Sequence, residues 1–127
     1  MITLKTLPTA TAQEVFDHIA NHLLTQNQRS LNPDSPFSCV YRSPQGLKCA
    51  AGCLIADDEY KPEMETYRWH CLIEDGLVPV EHSGLICDLQ DIHDFDLVEY
   101  WPSKLLRIAE QQGYTPWSIL NPKEQSL

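Results

Sequence analysis

Positive charge is scarce in this sequence. Nine Lys and Arg stand against eighteen Asp and Glu in 127 residues, a net charge of −9. Attraction to phosphate needs a basic face, so the balance points away from a DNA or RNA binder and from anionic membrane surfaces. Long apolar runs are missing too; none approaches the roughly 20 residues of a membrane-spanning helix. The opening stretch Met1 to Pro8 lacks the basic and apolar segments of an export signal, which makes the cytoplasm the expected compartment. An even cysteine count is also lacking. Five cysteines exclude a complete disulfide framework and fit a reducing compartment. No Gly-rich phosphate loop, Gly-x-Ser-x-Gly elbow or His-Glu-x-x-His motif is found, and no internal repeat or low-complexity tract.

What is present is an ordinary globular composition. Hydrophobic residues make up 43% and charged residues 21%, enough apolar material for one domain over residues 1–127. Thr11 and Glu14 form a capping box ahead of a helix over 12–26, in which Val15, Phe16, Ile19, Leu23 and Leu24 recur at helical spacing. Asp17, His18, Asn21 and His22 fall on its polar side. Residues 28–36 read as loop. A small hairpin is expected from Ser38–Arg42 and Leu47–Cys49 around the turn Ser43-Pro-Gln-Gly46. The small-residue run Cys49 to Ala56 reads as a short buried helix, with Ala50, Ala51 and Gly52 allowing another backbone close. Further helices are expected over 67–75, stopped by Gly76, over 82–95, and over 98–112 with Pro102 in the first turn and Gly113 as cap. Residues 115–127 read as a tail that Trp117 or Ile119 would pin. Together these give an α+β, mainly helical single domain of four to five helices with one short β-hairpin. The strand–helix alternation of a parallel sheet is absent.

Chemistry concentrates in a few places. Cys49 and Cys53, four apart, would share a helix face, and a helix start at Cys49 would favour its thiolate. Cys49 is therefore a candidate nucleophile, with core packing as the alternative. His82 and His93 lie eleven apart, about three helical turns, on the face of Leu85 and Leu89, with Asp96 coming round to the same side. His93 is the candidate base. Cys49, Cys53, His82, Cys87 and His93 are suitable zinc donors, but only Cys49 and Cys53 have knuckle spacing. No metal ligand set is assigned, and no cofactor is expected. His18 and His22, also four apart, are expected to face solvent. Asp57, Asp58, Glu59, Glu63 and Glu65 are candidate partner-binding acids, with Asp88, Asp91, Asp94 and Asp96 further along. Such a patch would select a basic partner by complementary potential.

The stretch Lys48-Cys-Ala-Ala-Gly-Cys-Leu-Ile-Ala-Asp-Asp-Glu-Tyr60, followed by Leu89-Gln-Asp-Ile-His-Asp94, resembles a pattern in small uncharacterised proteins of phages and their bacterial hosts. Ala-Thr-Ala-Gln-Glu-Val-Phe16 fits the same pattern, and the resemblance spans most of residues 8–113. It brings no catalytic residue with it, and it implies an accessory or host-interaction role. Three functions therefore stand at this point. The first is a small acidic binding or regulatory protein docking on a host protein. The second is a cysteine-dependent enzyme using Cys49 and His93, and the third is a zinc-stabilised Cys/His domain. A homo-oligomer is open, with Trp69, Trp101 and Trp117 as candidate interface anchors.

Overall fold

The computed structural model describes residues 2–116. Most of the tail, including Trp117 and Ile119, lies outside the described residues. Four α-helices and one two-stranded antiparallel sheet make up the regular structure among them, a mainly helical α+β arrangement.

Helix α1 spans Ala12–Gln26 and starts on the expected capping box. The Thr11 hydroxyl accepts from the Glu14 N–H, and the Glu14 carboxylate accepts from the Thr11 N–H at 2.8 Å. Val15, Phe16, Ile19 and Leu23 are buried, and Leu24 only partly. The helix ends at Asn27 in the left-handed region (φ 53°). Helix α2 is Trp69–Glu74, followed by Gly76 at φ 72°. Helix α3 is Ser83–Phe95, with Ile86, Leu89 and Ile92 buried. Helix α4 is Trp101–Gln112, closed by Gly113 at φ 75°; the expected start at Val98 is a separate 3-10 turn, Val98–Tyr100. Helices α1, α3 and α4 pack on one another, and α2 packs on α3. The Gln13 side chain donates to the Thr115 carbonyl and accepts from its N–H at 2.8 Å, tying α1 to the chain beyond α4. Among the described residues no helix is long and apolar enough to cross a membrane.

The sheet is not where the sequence suggests. Strands β1, Leu31–Asn32, and β2, Ser35–Cys39, pair antiparallel with Leu31 opposite Cys39 and Asn32 opposite Ser35. The expected hairpin shrinks to a single bridge between Arg42 and Lys48 across the turn at Gly46. The reason is competition for backbone donors. The Glu65 carboxylate takes the N–H groups of Tyr41 (2.8 Å) and Arg42 (3.2 Å).

The Cys49–Ala56 run is buried as expected, but its helical part is only the 3-10 turn Gly52–Leu54, after which Ile55 is extended. Glu59, just beyond the run, takes the Ala56 N–H (2.9 Å) that a continuing helix would give to the Gly52 carbonyl, while Gln90 receives the Ala51 N–H (2.8 Å). A β-carbon on Gly52 would lie 2.0 Å from the Tyr41 carbonyl oxygen, so the close backbone approach is real and needs glycine. Trp69 and Trp101 are 3% and 0% exposed, so they are core residues rather than surface anchors.

Candidate functional site

Cys49 and His93 are both inward, and no hydrogen bond joins them. The Cys49 sulfur accepts from the Gly52 N–H at 3.2 Å, the helix-start contact that would favour a thiolate. Desolvation outweighs it and holds the thiol well above its ordinary value. His93 is fully buried, and both its ring nitrogens are committed. Its Nε2 accepts from the Ser30 N–H at 3.0 Å, so the proton sits on Nδ1, which lies 2.8 Å from Asp94 Oδ1. The ring also stacks on Trp101 at 5.6 Å. The nucleophile–base pair of the sequence reading is therefore not assembled. The carboxylate on His93 is Asp94, not Asp96; Asp96 instead receives Arg29 and Trp101 Nε1 on its carbonyl. His82 is the residue before α3, its ring on the Ala10 carbonyl at 2.8 Å.

The acidic run does not form one face. Glu59 accepts from the N–H groups of Leu4, Lys5 and Ala56, fastening two distant segments. Glu65 accepts from Tyr41, Arg42 and the Tyr60 hydroxyl. Asp57, its side chain 90% exposed, pairs with Arg42 at 3.0 Å. Only Asp58 and Glu63 stand as exposed acids with no structural duty. His18 and His22 depart from expectation as well. They are half-buried and meet the carbonyls of Cys53 (3.1 Å) and Lys48 (2.8 Å), gripping the small-residue run from α1.

Asp94 is a hub that the sequence gives no sign of. It receives His93 Nδ1 and Gln90 Nε2, the latter at 2.7 Å, and stands beside the Cys39 thiol. Burial and this carboxylate push the Cys39 thiol up to about 12. Cys39, His93 and Asp94 have donor atoms within 4.8 Å of one another, while Cys49, Cys53, His82 and Cys87 stay outside that group. The chemistry of the set does not suit zinc. A ligating imidazole normally donates its other N–H to an acceptor. Here a metal on Nδ1 would leave Nε2 facing the Ser30 N–H, a donor. The group is a proton-bearing hydrogen-bond knot.

Above that knot opens a cleft of about 350 Å³. Cys39 and Tyr41 line it from β2 and the chain that follows. Tyr67, Arg68 and Trp69 line it at the start of α2, and Cys87, Asp91, Asp94 and Phe95 along α3. Two aromatic residues on this cleft are largely in solvent, Phe95 at 71% and Tyr67 at 50% exposure. Trp69 is buried, and its Nε1–H meets no acceptor among the described residues. Burial, then Asp94 and Asp88, raise the Asp91 carboxyl, opposed by Arg68. The three thiols on the cleft wall are all pushed up, chiefly by desolvation, so none is poised as a nucleophile. The sequence reading placed Tyr67 and Phe95 at element ends without a role; the cleft joins residues far apart in the chain, which no local pattern reveals.

Searches of protein-family models, of curated proteins and of solved structures found no match to this chain.

Proposed function

We propose that this chain is a small acidic binding protein that docks on a partner protein through the cleft between the start of α2 and α3. The carrying observation is the pair of largely exposed rings, Phe95 and Tyr67, on the wall of one concavity. Aromatic side chains are over-represented where proteins meet, and a well-formed concavity with a few polar groups is the default binding site. The net charge of −9 favours a protein over a nucleic acid. The resemblance to phage and host proteins makes a host protein in the cytoplasm the natural partner. The raised thiols speak against the cysteine-enzyme reading, and the orientation of His93 against the zinc reading.

Cross-linked pull-down with three forms of the chain tests this. Phe95→Ser with Tyr67→Ser should lose the partners that the unaltered chain retains. Asp57→Lys with Asp58→Lys should keep them. If the aromatic variant folds and captures the same partners in the same amounts, the cleft is not the docking face.

A further inference from the structure

We draw no further inference here: the strongest candidate, the cleft between the start of α2 and α3 with the rings of Tyr67 and Phe95 on its wall, belongs to the site already described, and nothing in the structure shows what covers it.

Discussion

His93 illustrates how a residue that looks catalytic in sequence can be structural in the fold. Its imidazole is a three-way connector. It accepts from the Ser30 N–H, meets Asp94, and stacks on Trp101. Its own carbonyl receives Arg29, which also reaches Asp96 and so caps the end of α3 with a cation, where the helix dipole favours one. Replacing His93 by Ala orphans a buried N–H and opens a cavity. A loss of about 3 kcal/mol is expected in urea unfolding, with the Ser30 donor contributing about 1–3 kcal/mol. A loss under about 1 kcal/mol would mean the connector does little. Cys49 gives a second prediction at this scale. At 1% exposure it should resist iodoacetamide in the native protein and react only after unfolding, as mass spectrometry can follow residue by residue. Rapid native labelling of Cys49 would contradict its burial.

At the scale of elements, what the sequence made legible was what is decided locally. The capping box of α1, the apolar stripes of α1, α3 and α4, and the glycine stops at Gly76 and Gly113 depend on neighbours within a few residues. The misread hairpin and small-residue run are decided by side chains outside them. Glu65 and Gln90 reach back 23 and 39 residues to backbone N–H groups of Arg42 and Ala51, and Glu59, three residues on, takes the Ala56 N–H that a helix would use. The site was legible only in part for the same reason. That His93 looks inward follows from periodicity; that His18 and His22 of α1 hold the small-residue run, and that Cys39 and Asp94 lie together, does not. The Ala51–Gly52 run also carries the sharpest element-level prediction. Gly52→Ala forces a methyl against the Tyr41 backbone, so destabilisation of about 3 kcal/mol or more is expected, at the upper end of overpacking costs. Gly84→Ala, where a β-carbon meets nothing, should be neutral or slightly stabilising in the same melt.

At the scale of the whole molecule, acidity enters stability through two histidines. Desolvation lowers His18 and His22 below the ordinary 6.5, against the pull of their carbonyl partners. The unfolded chain therefore takes up protons below about pH 6.5 that the folded chain refuses, and stability falls as pH drops from there towards the lowered folded values. Each imidazole adds a slope of up to about 1.4 kcal/mol per pH unit in that window. Urea midpoints between pH 7 and 5 check this. His18→Gln with His22→Gln, which keeps a donor for each carbonyl, should flatten the curve, and an unchanged slope would remove both residues from the account.

The bridge between Gln13 and Thr115 has a consequence for biogenesis. Helix α1 is synthesised well before α3 and α4, two of the surfaces it packs on, and meets the Gly52–Leu54 turn ahead of them. A nascent chain halted before α4 leaves part of the α1 apolar stripe uncovered and should be protease-sensitive and sticky. Maturation is thus timed by the emergence of α4 from the exit tunnel.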